Sequence, residues 1–474
     1  MVQHFFILMK FELLVAVIIF ILLFIKVGSP ADGGKWGNKT VLNIVNILLL
    51  TNFVAGFFMN ADGSLFSDMF RTNKLMELQK NMLNLGTLII SAQAYSWLKN
   101  HNHVLEFYIL LLSTLLGLFF LISGGNLLMF YLGLELSTIP LAALCNFDLE
   151  KRQSSEAAMK LIISSAFSSG LLLFGISLVY GTTGTLNFSE ISQHLNGSPL
   201  QLFAFILLLA GFAFKISVVP FHLWTADVYE GSPVAVTSYL SVISKAAFLF
   251  VFVSVLYTVF KPIAGEWYKM LFLLSVLTMF TGNLFAIRQN NLKRFLAFSS
   301  ITQMGFILVG ISGSSQIGSA SVIYFLLIYI FSNLGAFGVI AFVSAVTGKE
   351  NMDYYKGFYK TNPFLAWVLT ISLFSLAGIP PTAGFFGKFF LIMAGAGHGN
   401  WLLIFIAALN MVIALYYYLK VVKAMFMDEN EQPIEKLSIS PLPKIALLIC
   451  VAGIVVIGFI PAVYNYIYSL SFGL

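Results

Sequence analysis

Apolar runs of about twenty residues recur along the whole chain, and no other feature limits its fold so strongly. Such a run spans the ~30 Å hydrocarbon core of a bilayer as a helix. Of the 474 residues, 59% are hydrophobic and 10% are charged, whereas soluble domains run near 25% charged. The runs are continuous and do not alternate, which excludes a β-barrel. The expected fold class is therefore an all-α polytopic membrane protein. About fourteen spans are expected: 5–26, 40–58, 76–97, 104–122, 124–146, 157–180, 200–226, 234–260, 269–288, 293–312, 319–347, 362–393, 400–426 and 442–468. The first run is followed by Lys26 and by no small-residue cleavage site, so it reads as a retained span.

Lysine and arginine distribution gives the orientation. Loops after odd-numbered spans hold 16 of them and loops after even-numbered spans hold 5. The odd loops are thus expected in the cytoplasm, with both termini outside. The net charge of +6 sits in short inter-span loops and does not suggest nucleic acid. Cys145 and Cys450 have neither metal nor disulfide spacing and read as small buried residues. There is no GxGxxG, no P-loop, no Cys₄ spacing and no paired membrane histidines for haem. The chain is expected to hold no metal, nucleotide or redox centre.

An internal repeat is visible. Asn126-Leu127 with Phe130 matches Asn291-Leu292 with Phe295 at an offset of 165; Phe167-Ser168 matches Phe331-Ser332, and Thr183-Gly184 matches Thr347-Gly348, at 164. That offset holds about five spans, and an odd number of spans inverts the second copy in the membrane. Each copy is interrupted in its fourth span, at Pro220 and at Gly378-Ile-Pro380-Pro381. Proline removes a backbone donor, and such a break persists in a membrane only where protein or water satisfies the freed groups. The expected organisation is 1–103 as an N-terminal three-helix segment, 104–260 as the first repeat, 269–426 as the inverted second repeat, and 427–474 carrying helix 14. Spans 7 and 12 are the broken ones.

Four lysines and a glutamate sit inside stretches that otherwise read as pure membrane helix: Glu135, Lys160, Lys215, Lys245 and Lys388. A lysine at the bilayer centre costs roughly 2.5–3.5 kcal/mol on insertion scales, and such residues mark ion or proton paths. Glu135 and Lys215 lie near mid-span and read as an ion pair; a glutamate kept neutral between helices is the alternative for Glu135. Lys245 shares a helix face with Ser241 and Ser238, a stripe that fits either ordered water or a helix contact. The break leaves the depth of Lys388 open. Lys160 follows Glu156 by four residues, so a helix-start ion pair and a proton relay are both open. His222, just after Pro220, suits a proton relay or a donor to the carbonyls freed by the break. Lys293-Arg294 and Asp227 with Glu230 lie near span ends and read as interfacial anchors. The loop region with Arg71, Lys74, Glu77 and Lys80 is unusually charged for an outward loop.

Four segments carry a family resemblance: Gly133-Leu-Glu135-Leu-Ser-Thr-Ile-Pro140, Phe214-Lys215 through Pro220-Phe-His222-Leu-Trp224 to Pro233, Asn291-Leu-Lys293-Arg294 through Gln303-Met-Gly305, and Gly378-Ile-Pro380-Pro381 through Gly384 to Lys388. They resemble the antiporter-like membrane subunits of respiratory complex I, NADH-quinone oxidoreductase, over about residues 104–425. Within that family, lysine at 388 contrasts with the glutamate of the M-type subunit, and the chain lacks the long lateral helix of the L-type. The resemblance implies fourteen helices with two inverted five-helix repeats. It implies that Glu135 and Lys215 form a modulating ion pair, that Lys245 is a central relay, and that Lys388 serves an outlet. It also implies proton translocation driven by quinone reduction elsewhere in the complex, with NADH and quinone used by the whole assembly and no cofactor in this chain. Partners would be the small membrane subunits, a neighbouring antiporter-like subunit and the lipid of a bacterial inner membrane. An Mrp-type cation/proton antiporter subunit and the membrane arm of a related hydrogenase are the alternatives.

Overall fold

A computed structural model describes residues 2–28, 37–313, 316–397 and 399–471. Lys35, counted among the cytoplasmic charges, lies outside them. The fold is helical, with one two-stranded antiparallel hairpin among the described residues, β1 (Gly63–Leu65) with β2 (Phe70–Thr72). The helices that matter are α1 (Lys10–Val27), α2 (Asn38–Ala55), α3 (Lys74–Leu98), α4 (Val104–Ile122), α5 (Leu127–Cys145), α6 (Arg152–Thr183), α7 (Pro199–Lys215), α8 (Leu223–Gly231) and α9 (Val234–Thr258). They continue as α10 (Ala264–Ile287), α11 (Leu292–Ser312), α12 (Gln316–Thr347), α13 (Pro363–Ala377), α14 (Ala383–Ala396), α15 (Trp401–Phe426), α16 (Pro441–Phe459) and α17 (Pro461–Leu470). Taking α7 with α8 and α13 with α14 as single broken spans, these helices follow the fourteen expected runs. The last run is shorter than expected, because Pro461 begins a separate helix.

The chain divides into two units. The first comprises Met1–Lys215, Gly231–Val236 and Ile243–Ile263. Within it α4 packs along α5, α6 along α7, α1 along α4 and α2 along α3. The second comprises Ile216–Glu230, Thr237–Val242 and Ala264–Leu474. Within it α10 packs along α11, and α12 runs beside α13, α14 and α16.

The repeat is written into the backbone of both units. Asn126 caps α5 by accepting from Met129 N at 2.7 Å, and Asn291 caps α11 by accepting from Lys293 N at 2.9 Å. Each cap also forms an antiparallel bridge to a later asparagine, Asn126 to Asn187 and Asn291 to Asn351. The long helices α6 and α12 have 32 residues each. Both end at a glycine in the left-handed region, Gly184 at φ 75° and Gly348 at φ 69°, the conformation that closes a helix C-terminus. Within each leading helical hairpin, the two helices meet through an equivalent glycine. A Cβ on Gly117 would lie 2.4 Å from Ser137 N, and one on Gly282 would lie 2.7 Å from Thr302 N. Small residues permit this approach where lipid supplies no hydrophobic drive.

Candidate functional site: lysines at two helix breaks

The first break begins where α7 ends at Lys215, and helix resumes at Leu223. Ser217 takes a left-handed φ of 63°, a conformation that costs a non-glycine residue roughly 1–2 kcal/mol. The second break has its left-handed turn at Gly378, at φ 86°, which adopts it freely. Lys215 is therefore at the end of a half-helix, not midway along a continuous one. Its buried Nζ donates to Thr138 Oγ1 at 2.8 Å and to Ser165 Oγ at 2.7 Å. The rings of Phe214 and Phe248 lie 5.9 and 5.8 Å away.

The expected ion pair is not closed: among the described residues no contact within 4 Å joins Glu135 to Lys215. The reason is local. Thr138 lies one turn beyond Glu135 on α5, and its hydroxyl takes the ammonium together with Ser165 of α6. Glu135 keeps a buried Oε1 with no hydrogen-bond partner. Neither hydroxyl was singled out from the sequence. Thr138 stands inside the Glu135 motif, and Ser165 belongs to a serine stripe that reads as a helix contact.

At the second break, α13 ends at Ala377 and α14 starts at Ala383. Lys388 is fully buried within the protein. Its Nζ reaches back to the close of the first half-helix, donating to Leu376 O at 2.7 Å and Ala377 O at 3.2 Å. These are orphan carbonyls of a helix C-terminus, where the helix dipole favours a cation. The Phe306 ring centroid is 4.8 Å from the ammonium. Gln303 also donates to Leu376 O, at 2.9 Å, and to Tyr418 OH at 3.1 Å. At the offset of 165, Gln303 is the repeat counterpart of Thr138.

Lys245 is 1% exposed and follows a π-helical turn at Leu240–Ser244 inside α9. Such turns recur at functional sites. Within that stripe, the Ser241 hydroxyl donates to Ser238 O at 3.2 Å. His222 is buried, and its Nδ1 has no hydrogen-bond partner. Lys160 instead lies on an exposed face of α6, 2.7 Å from Glu156, the geometry of a helix-start pair. Arg294 does more than anchor an interface, because its Nη1 donates at 2.7 Å to both Asp227 and Glu230 of the second half-helix α8. Lys293 pairs with Glu350 at 3.1 Å.

The helical fold that carries these two breaks agrees with comparisons to known proteins. The NADH:quinone oxidoreductase/Mrp antiporter transmembrane family matches residues 124–414. NADH-quinone oxidoreductase subunit N of Phocaeicola vulgatus is 47% identical over 94% of this chain and 95% of the relative. A chain of respiratory complex I from Thermus thermophilus with bound aureothin superposes with a TM-score of 0.82 at 27% identity, covering 95% of this chain and 97% of that one. A chain of the Mrp complex from Dietzia sp. DQ12-45-1b superposes with a TM-score of 0.87 at 20% identity, covering 98% and 96%, which shows the shared fold. The chain is a multi-pass helical membrane protein, and it belongs to the NADH:quinone oxidoreductase/Mrp antiporter transmembrane family.

Proposed function

We propose that this chain is the proton-translocating N subunit of a bacterial NADH-quinone oxidoreductase. The observation that carries the reading is the pair of buried lysines, Lys215 and Lys388, each set at the end of a broken half-helix. Relatives that share the chain over nearly its full length bear the name of that subunit.

Lys215 exchanges a proton through the Thr138 and Ser165 hydroxyls, which both donate and accept. Glu135 modulates it. When the carboxylate closes to 4–6 Å, attraction stabilises the ammonium by roughly 1.4–4 kcal/mol; when it withdraws, the hydroxyls alone hold the charge. Moving one charge against 100 mV takes ~2.3 kcal/mol, so this coupling is of the required size. Lys245 is the central relay and Lys388 serves the outlet, with His222 as a secondary relay. The exposed Glu156 contact favours the structural role for Lys160.

Residues 104–260 and 269–426 are the two repeats, preceded by the three-helix segment 1–103 and followed by 427–474. NADH and quinone act elsewhere in the complex, and this chain carries no redox centre. Its partners are the small membrane subunits and a neighbouring antiporter-like subunit in the inner membrane, with both termini outside. The likeness to an Mrp chain supports the second reading, a cation/proton antiporter subunit without redox partners. Purification of the native complex through a tag on this chain decides between them. Recovery of NADH-oxidising, quinone-reducing activity with the chain is expected; recovery with small antiporter subunits alone supports the second reading and overturns the first.

A further inference from the structure

Of the charges expected in the outward loop, Arg71 stays in the β2 hairpin, whereas Glu77 and Lys80 belong to helix α3. Helix α3 presents Glu77, Lys80, Asn81, Asn84, Thr87 and Ser91 on one buried stripe, at i, i+3, i+4, i+7, i+10 and i+14. At 1.5 Å per residue the stripe runs about 21 Å, most of the way across a bilayer core. At its head Lys80 pairs with Glu12 of α1 at 2.6 Å, with side chains 0% and 2% exposed. Beside them Lys10 pairs with Glu77 at 3.0 Å and donates to Phe58 O at 2.8 Å, at the α2–α3 loop. Further along, Asn52 of α2 donates to Asn84 Oδ1 at 2.7 Å, and Ser91 shares a hydrogen bond with Tyr108 of α4 at 2.9 Å.

The fully buried Glu12–Lys80 pair loses several kcal/mol per ion in desolvation, and apolar residues of similar volume hold helices together as well or better. Helix attachment alone therefore does not account for it. The stripe also has acceptors to spare. Glu12 Oε2 and Asn52 Oδ1, on the residues that meet Lys80 and Asn84, are buried, on residues 2% and 1% exposed, and have no hydrogen-bond partner. Orphaned buried acceptors require donors. The Lys80 ammonium on Glu12 opposes a metal cation there, which leaves water or a proton. Helix α3 packs against the Lys245–Thr258 part of α9.

We propose that the α3 stripe, headed by Glu12 and Lys80, is a second proton-exchanging site: a hydrated file that opens at the α2–α3 loop and lies apart from the two helix breaks. Its elementary step moves one proton from water to Glu12 Oε2 and returns it to water, with no redox change. The inference rests on the reading of the chain as a proton translocator.

The test uses the assembled complex in proteoliposomes, carrying Glu12→Gln, Asn84→Leu or Lys215→Ala, with protons released per NADH oxidised as the readout. Glu12→Gln and Asn84→Leu are each expected to lower that ratio about twofold or more. Infrared difference spectra of the energised complex should show a carboxyl band that shifts in D₂O and is missing from Glu12→Gln. Normal ratios in both variants, with Lys215→Ala impaired, overturn this proposal alone. Normal ratios in all three overturn the translocation reading as well. Failure of both stripe variants to assemble identifies the stripe as a structural staple and also overturns the proposal.

Discussion

The two breaks reach one electrostatic arrangement from different places in the chain. In the first, the lysine is the last residue of the half-helix, and its ammonium turns to hydroxyls of α5 and α6. In the second, the last residues of the half-helix are Leu376 and Ala377, and the lysine arrives from the following half-helix to bind their carbonyls. Aligned at the repeat offset of 164–165, Lys388 falls opposite Trp224 or Leu223, and the correspondence is missed. The difference is chemical as well. Hydroxyls accept and donate, so Lys215 has neighbours that pass a proton on. Carbonyls only accept, so Lys388 is anchored by partners that take no further part in a relay.

The comparison breaks most sharply at Lys388. Lys388→Met should remove the ammonium from two buried carbonyls and lower protons released per NADH by about tenfold or more, and leaving the carbonyls short of donors should cost about 1–3 kcal/mol of stability. Pumping assays and thermal denaturation of the purified complex check the two effects separately. The hydroxyl shell comes next. Thr138→Val with Ser165→Ala keeps side-chain volume and takes away both partners of Lys215; a several-fold loss of pumping is expected at normal complex content. Wild-type pumping in the double variant would show that the hydroxyls only fill space. The smallest effect belongs to the exposed pair: Lys160→Ala should shift stability by no more than about 0.5 kcal/mol, since exposed i,i+4 pairs contribute little. A large loss of pumping there would restore the relay that the geometry disfavours.

Much of this was legible before any coordinates. Span order follows from hydropathy, and the repeat from a few identities at constant offset. The structure adds matching asparagine bridges and helix-ending glycines to those identities. Depth was not legible where a helix breaks. The sequence leaves the depth of Lys388 open, and the structure buries it against the carbonyls that close α13. Nor was pairing legible between distant helices. Glu12 and Lys80 are 68 positions apart, and nothing local to Lys80 distinguishes a buried partner from a solvated loop charge. Thr138 and Ser165 were hidden for a similar reason, because a hydroxyl on a membrane helix serves helix packing as readily as it serves an ammonium.

The most direct test replaces Lys215 with alanine in the assembled complex and measures protons translocated per NADH oxidised in sealed proteoliposomes. The account predicts that the ratio falls well below that of the unaltered complex at equal complex content. An undiminished ratio would contradict it.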